Sequence, residues 1–178
     1  MYEIIYLMAA SALFGYFRKV ADLLDEHGLK WFNGAEMATG IAVGILGAYL
    51  VSYEPVLANV ILAMIAALIV RGKVDYINHL LASIIILLSF PLFAPFDYSI
   101  FISFFMVFAV FGAFKDQYDV RLYRTGWRFL LSEVMLHYPA ITAAYGLLTS
   151  IWTPFIAFTL YTIGYDLTKL YYLKKGIG

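Results

Sequence analysis

Long apolar runs separated by short polar interruptions form the dominant pattern of this chain. Seven such runs cover residues 4–20, 34–52, 55–70, 76–93, 98–114, 127–148 and 151–167. An α-helix needs about 20 mostly apolar residues to cross a bilayer, within a range of roughly 17–25. The pattern therefore predicts an all-α fold, a polytopic integral membrane bundle of seven transmembrane helices in a single domain over residues 1–178. Pro139 lies inside the sixth run, where we expect it to kink the helix.

The composition supports a membrane protein. Of the 178 residues, 63% are hydrophobic and 13% are charged, whereas soluble proteins average roughly 45–50% and about 25%. A soluble domain of this length cannot bury so much apolar surface, so part of that surface must face lipid. The chain has no cysteine, which excludes a disulfide scaffold, and its net charge of zero excludes a typical basic nucleic-acid binder. We therefore expect membrane lipids, and no nucleic acid, as partners.

The positive charges fall on one side of the predicted bundle. If the seven runs cross the membrane in turn, all twelve Lys and Arg residues lie on the side where the odd-numbered helices end. Short loops rich in Lys and Arg stay in the cytoplasm. The sequence thus predicts a multi-pass cell-membrane protein with its N-terminus outside and its C-terminus in the cytoplasm.

The second run carries glycines at helical spacing. Gly40 and Gly44 form a small-xxx-small pair, and Gly47 follows them. Such residues let two helix backbones approach closely within a membrane. We expect the second helix to pack tightly. As its partner we favour a neighbouring helix of the same chain over a second copy of the protein.

Glu133 and His137 are the ionisable pair that the predicted spans place deepest. Their i, i+4 spacing in the sixth run puts both side chains on one face of a helix. Ionisable groups inside a membrane are expensive and usually functional. The pair could serve as a proton relay, a substrate anchor or part of a metal site. The alternative is a neutral, hydrogen-bonded pair that only fixes helix packing.

Asp75, Asn78 and His79 open the fourth run. Asp75 and His79 are at i and i+4, and Asn78 is three residues after Asp75, so all three can share a face. Together they could hold a divalent cation or orient a phosphate, with His79 as an acid, a base or a ligand. The alternative is that Asp75 simply caps a helix that starts at Tyr76.

Asp116 and Asp119 follow the fifth run and precede Arg121, Arg124 and Arg128. Carboxylate oxygens are the ligands that Mg²⁺ prefers, and one arginine can donate two parallel hydrogen bonds to phosphate oxygens. This order of residues suits Mg²⁺ together with a diphosphate. The alternative is a solvated loop whose charges pair with one another.

Asp22 and Glu26 follow the first run. We expect them to lie on a solvated cytoplasmic extension of the first helix, where they would pair with Arg18 or Lys19, and we expect Gly28 to end that helix.

These features favour an integral membrane enzyme that acts on a phosphorylated lipid or isoprenoid at the cytoplasmic leaflet. The predicted catalytic residues are His79, Glu133 and His137; the predicted phosphate-binding residues are Lys73, Arg121, Arg124 and Arg128; the predicted Mg²⁺ ligands are Asp75, Asp116 and Asp119. One alternative is a small transporter or channel that uses the Glu133–His137 pair, and another is a structural subunit of a membrane complex. A transporter needs a polar route to both faces, and the outer half offers only Asn59 and scattered Ser, Thr and Tyr, which favours the enzyme.

Overall fold

The computed structural model describes residues 2–118 and 135–177, and this part of the chain forms seven helices and no strand. The helices are α1 (Tyr2–Glu26), α2 (Ala35–Tyr53), α3 (Pro55–Val70), α4 (Ile77–Phe93), α5 (Tyr98–Tyr118), α6 (His137–Thr149) and α7 (Thr153–Lys174). Each predicted run overlaps one of these helices. The all-helical prediction is therefore confirmed.

Three of the described helices are long and apolar enough to cross a membrane, namely Tyr2–Glu26, Ala35–Tyr53 and Tyr98–Asp116. The segments Pro55–Val70 and Ile77–Phe93 are also apolar but shorter. Large apolar side chains such as Ile45, Leu88 and Leu148 are exposed on the outside of the bundle. Such a surface is typical of a protein that lies in lipid.

Local signals in the sequence set the ends of several helices. Glu54 accepts hydrogen bonds from the backbone N–H groups of Val56 and Leu57, and Pro55 occupies the first position of α3. At the end of α1, Gly28 adopts a positive φ of 72°, which a residue with a Cβ atom rarely does. The prediction that Gly28 ends the first helix is therefore confirmed, because α1 stops at Glu26.

The glycines of α2 pack against α4 of the same chain. A Cβ atom on Gly40 would lie 2.6 Å from the Cα atom of Asn78, and Gly44 and Gly47 face the side chains of Ile85 and Ile86. The predicted intramolecular packing of the second helix is therefore confirmed. This close approach fixes the first turn of α4, which carries Asn78 and His79.

Helices α1 and α7 cross with their backbones in contact. Gly15 lies against the backbone of Tyr161, and Gly164 lies against the backbone of Ala12. The rings of Tyr161 and Phe14 also lie against each other, tilted by 41°, at a centroid distance of 5.3 Å. The missing side chains of the two glycines let the helices approach closely enough for longer polar side chains further along to meet.

The bundle has two chemically different ends. Helices α1, α3, α5 and α7 finish at one end, where α2 and α4 begin, and every described Lys and Arg lies at or near it. We call this the basic end. The turns at the opposite end contain no Lys or Arg.

The sixth helix differs from its prediction. The apolar run starts at Trp127, but α6 begins at His137, and Met135 and Leu136 just before it are not helical. Pro139 therefore lies in the first turn of α6, where a helix needs no N–H donor, and does not kink a longer helix there. Residues 119–134 lie outside the described part of the chain.

Candidate functional site

A buried carboxylate–imidazole pair joins α1 to α4 at the basic end. Nε2 of His79 lies 3.0 Å from Oδ1 of Asp22, and both side chains are buried. The amide of Asn78 donates a hydrogen bond to the backbone oxygen of Ala21 at 3.1 Å, which fixes α4 against α1 beside this pair. The imidazole is thereby held at one nitrogen by a buried acid.

The second oxygen of Asp22 binds partners from α7 and α1. The hydroxyl of Tyr165 donates to Oδ2 of Asp22 at 2.6 Å, and Nζ of Lys19 lies 3.9 Å from the same atom. Arg18 is buried nearby and interacts electrostatically with Asp22 and with Tyr165. We call Arg18, Lys19, Asp22, His79 and Tyr165 the Asp22 cluster.

The other ring nitrogen of His79 is not bonded within this cluster. Nδ1 is buried and has no hydrogen-bond partner in the described part of the chain, and Oδ1 of Asp75 lies 4.0 Å from it. The side chain of His79 is 5% exposed, whereas that of Asp75 is 57% exposed. An imidazole with one nitrogen held by a carboxylate and the other available can accept or donate a proton at the available nitrogen.

A second charged group joins α3 to α5 at the same end. Nε and Nη2 of Arg71 lie 3.0 and 2.8 Å from Oδ2 of Asp116, and Nζ of Lys73 lies 3.5 Å from Oδ1. The guanidinium of Arg71 fills the space where a side chain on Gly112 would sit. Lys73 and Asp75 belong to one short loop between α3 and α4, which places Lys73 close in sequence to Asp75, the neighbour of His79.

The predicted metal ligands take part in different interactions. Asp75 faces His79, and Asp116 forms ion pairs with Arg71 and Lys73. Across residues 2–118 and 135–177, no group of three or more His, Cys, Asp or Glu side chains could hold a metal ion. Asp119 lies outside the described residues, so the complete Mg²⁺ site stays a prediction.

Several other predicted site residues also lie outside the described part of the chain: Arg121, Arg124, Arg128 and Glu133. His137 opens α6; its ring stacks on Phe111 at a centroid distance of 6.4 Å and lies tilted against Tyr138 at 4.2 Å. The Glu133–His137 pair and the phosphate-binding arginines therefore stay predictions.

Two interpretations from the sequence need correction. Asp75 is not the N-cap of α4, because that helix begins one residue later, at Ile77, and Tyr76 takes the cap position without a side-chain bond. Asp22 is not solvated, because α4 and α7 cover the last turns of α1. The predicted ion pair between Asp22 and Lys19 is confirmed.

The sequence contained a signal for the buried face of α1. Ser11, Gly15, Arg18 and Asp22 recur at spacings of four, three and four residues, which is one face of a helix. A small or polar face on an otherwise apolar helix indicates contact with other helices rather than with lipid. Tyr165 had no comparable local signal, because its role depends on Asp22, 143 residues away.

Comparison with known proteins gives no match for this chain to a family model, a curated protein or a solved structure. A fold alone does not determine a function, so the chemistry of the site is the basis for one.

Proposed function

We propose that the protein is a multi-pass protein of the cell membrane with seven spans. Three helices of sufficient length, two shorter apolar helices and exposed side chains such as Leu88 and Leu148 support this topology. The Lys and Arg residues at the basic end favour the cytoplasm for that end, which gives an outside N-terminus and a cytoplasmic C-terminus.

Within this topology we propose an enzyme that acts on a phosphorylated lipid or isoprenoid at the cytoplasmic leaflet. The observation that carries the proposal is the arrangement of His79, which is held at Nε2 by Asp22 and lacks a hydrogen-bond partner at Nδ1. In such a site Nδ1 takes a proton from the attacking water or hydroxyl group. The carboxylate of Asp22 stabilises the imidazolium that forms and fixes the orientation of the ring.

The surroundings of His79 favour a phosphorylated substrate with an apolar tail. Lys73 is 49% exposed in the loop beside Asp75, so its ammonium group can turn from Asp116 towards a phosphate. Arg121, Arg124 and Arg128 follow Asp116 in the chain and are proposed as further phosphate ligands. The apolar tail of the substrate would stay in the bilayer while its head group reaches the basic end.

The opposite end of the bundle favours an enzyme over a transporter. Asn59, the buried amide there, is bound to the backbone of Pro55, Pro95 and Asp97. Because its polar atoms already bind two backbone segments, the Asn59 side chain is poorly placed to bind water or a solute along a transport route. Chemistry at the basic end alone needs no route to the other face.

Turnover by the purified protein tests the proposal. The protein, reconstituted in lipid nanodiscs, is incubated with long-chain lipid phosphates and with isoprenyl mono- and diphosphates, and products are followed by mass spectrometry. Native mass spectrometry of the same sample detects a retained phosphorylated lipid. Parallel reactions with a chelator, and with Mg²⁺ restored, test whether Asp75, Asp116 and Asp119 hold a required metal ion.

The histidines supply matched variants, because the chain contains three of them. We expect His79→Asn to lower turnover by about 10²–10⁴-fold, the usual contribution of a general acid–base group. His27→Asn replaces an exposed histidine and should leave turnover unchanged. Full activity in His79→Asn, or neither turnover nor a retained phosphorylated lipid, would overturn the proposal. Solute uptake that His137→Asn abolishes would favour the transporter instead.

A further inference from the structure

Arg18 places a positive charge inside the bundle without an acid bonded to it. It lies one turn before Asp22 on α1 and is 6% exposed. Both oxygens of Asp22 already have partners, since Oδ1 contacts His79 and Oδ2 accepts from Tyr165. In the described part of the chain the guanidinium forms no hydrogen bond and no ion pair, although Asp22 acts on it electrostatically. Its N–H donors therefore lack an acceptor among these residues.

A buried guanidinium without an acceptor weakens a fold. Charged side chains are rarely buried unless they are paired, because each N–H group gives up its hydrogen bonds to water. An apolar side chain of similar size would pack there without this cost. The guanidinium is also the side-chain group whose fork of donors matches the oxygens of a phosphate or a carboxylate. The charge of Arg18 thus indicates an anionic ligand that pairs with it.

Three tyrosines give the surroundings of Arg18 further polar groups. Tyr138 of α6 and Tyr161 and Tyr165 of α7 interact electrostatically with the guanidinium, and all three are buried. Tyr165 donates its hydroxyl proton to Asp22. The hydroxyls of Tyr138 and Tyr161 form no hydrogen bond within the described residues, so each can donate one to a ligand. A fixed cation beside two neutral donors suits an oxyanion, which accepts several hydrogen bonds at once.

A small apolar recess lies next to Arg18, on the side that faces the opposite end. Phe14, one turn before Arg18 on α1, lines it together with Leu57, Phe158 and Tyr161. Tyr161 is therefore a neighbour of both the guanidinium and the recess. An anionic group at Arg18 that is joined to an apolar chain in the recess would match both parts of this interior.

We propose that Arg18 binds the phosphate group of an amphiphilic substrate whose apolar chain enters this recess. The inference deepens the proposed function and rests on it for the class of substrate. It adds a buried phosphate ligand to the exposed Lys73, and it places that ligand beside Asp22, the acid that contacts His79.

Binding of dodecyl phosphate to the full chain tests the inference. The protein in neutral detergent is titrated with dodecyl phosphate or with dodecanol, and bound ligand is measured by native mass spectrometry, with inorganic phosphate added as a competitor. We expect dodecyl phosphate to bind more tightly than dodecanol. Arg18→Met should weaken its binding at least about tenfold, because charge-assisted hydrogen bonds are lost. Lys30→Met removes an exposed cation at the same end and should have no effect.

Tyr161→Phe provides a second variant that keeps the shape of the bundle. Loss of one neutral donor should weaken binding of dodecyl phosphate about two- to tenfold. Tyr98→Phe changes an exposed tyrosine at the opposite end and should leave binding unchanged.

The ligand-free protein separates a binding site from a structural role. If the guanidinium has no partner there, Arg18→Met should unfold at the same temperature as wild type or at a higher one. A clearly lower unfolding midpoint would show that the charge already has a partner, and would overturn the inference. Equal binding of dodecyl phosphate and dodecanol, or unchanged binding of dodecyl phosphate by Arg18→Met, would also overturn it.

Two further outcomes separate the ligand from the reaction. Displacement of dodecyl phosphate by an equal concentration of inorganic phosphate would assign Arg18 to a free anion and overturn the amphiphilic ligand. Binding of dodecyl phosphate that depends on Arg18, with no turnover of any phosphorylated lipid, would support the binding site and overturn only the proposed function. Full turnover by Arg18→Met would overturn the inference and leave the proposed function standing.

Discussion

The two ends of the bundle use polar side chains in different ways. At the opposite end, Glu54, Asn59 and Asp97 bind backbone groups, which start helices and tie turns. At the basic end, Asp22 and Asp116 bind other side chains, most of which belong to other helices or to the loop that follows α3. Folding requires such bonds to the backbone, because the first N–H groups of a helix need acceptors.

Buried pairs of charged side chains are not required for folding. Apolar residues of similar volume often stabilise a protein as well or better. We therefore expect chemistry at the end that carries the Asp22 cluster, and we expect the polar groups of the opposite end to serve the fold. Each prediction below tests one side of this contrast.

Removal of the central carboxylate should have the largest effect. Asp22→Ala takes away the group that faces His79, Tyr165 and Lys19, and loss of one partner of a buried ion pair costs about 3–5 kcal/mol. We expect a clear fall in the midpoint of thermal unfolding in detergent. Glu26→Ala, one turn later on the exposed side of α1, is the control and should change little. Equal unfolding midpoints for Asp22→Ala and wild type would show that the cluster does not stabilise the bundle.

Loss of the amide at the opposite end should reduce stability without affecting chemistry. Asn59→Ala removes bonds to Pro55, Pro95 and Asp97, and a buried backbone group left without a partner costs about 1–3 kcal/mol. We expect a lower unfolding midpoint, with turnover by the folded protein unchanged. An Asn59→Ala protein of normal stability that has lost turnover would reverse the assignment of the two ends.

A methyl group on Gly112 should separate Arg71 from Asp116. The new Cβ atom would occupy the position of the guanidinium, so the ion pair must open. A partly exposed pair contributes about 1 kcal/mol or less, which sets the expected loss of stability. The loss of stability caused by Gly112→Ala should be smaller when Asp116→Ala is already present. A double-mutant cycle measures this difference. The same cost in both backgrounds would show that the glycine serves only packing.

The smallest effect concerns His27, which lies just beyond α1. Although His27 is exposed, neighbouring protein atoms partly desolvate its ring, and this desolvation together with the positive charge of Lys19 lowers the pKa of His27 below its usual value. The unfolded chain therefore binds a proton at His27 more readily than the folded protein does. As a result, His27 contributes to the stability of the folded state above a pH of about 6.5, and this contribution is lost as the pH falls. His27→Asn should unfold at a midpoint that depends slightly less on pH between about 5 and 7. An unchanged pH dependence would contradict this reading.

The positions of the helices could be predicted because an apolar run is a local property of the sequence. The burial of Asp22 could not be predicted in the same way, because it depends on His79 and Tyr165, which lie 57 and 143 residues further along the chain. The start of α6 was placed too early because apolar composition continues through residues that precede the helix. His79 was named as a candidate because it can share a helix face with Asp75 and Asn78, and its functional role stays a prediction. Its contact with Asp22 was not predicted.

The long sequence separation between Asp22 and Tyr165 determines when the Asp22 cluster can form during protein synthesis. A ribosome adds about 5–20 residues per second, so Tyr165 is made roughly 7–29 s after Asp22. During that interval α1 already carries a carboxylate whose hydroxyl partner does not yet exist. The cluster can close only after α7 has been synthesised, so α1 is made before α7 but reaches its final surroundings only after it.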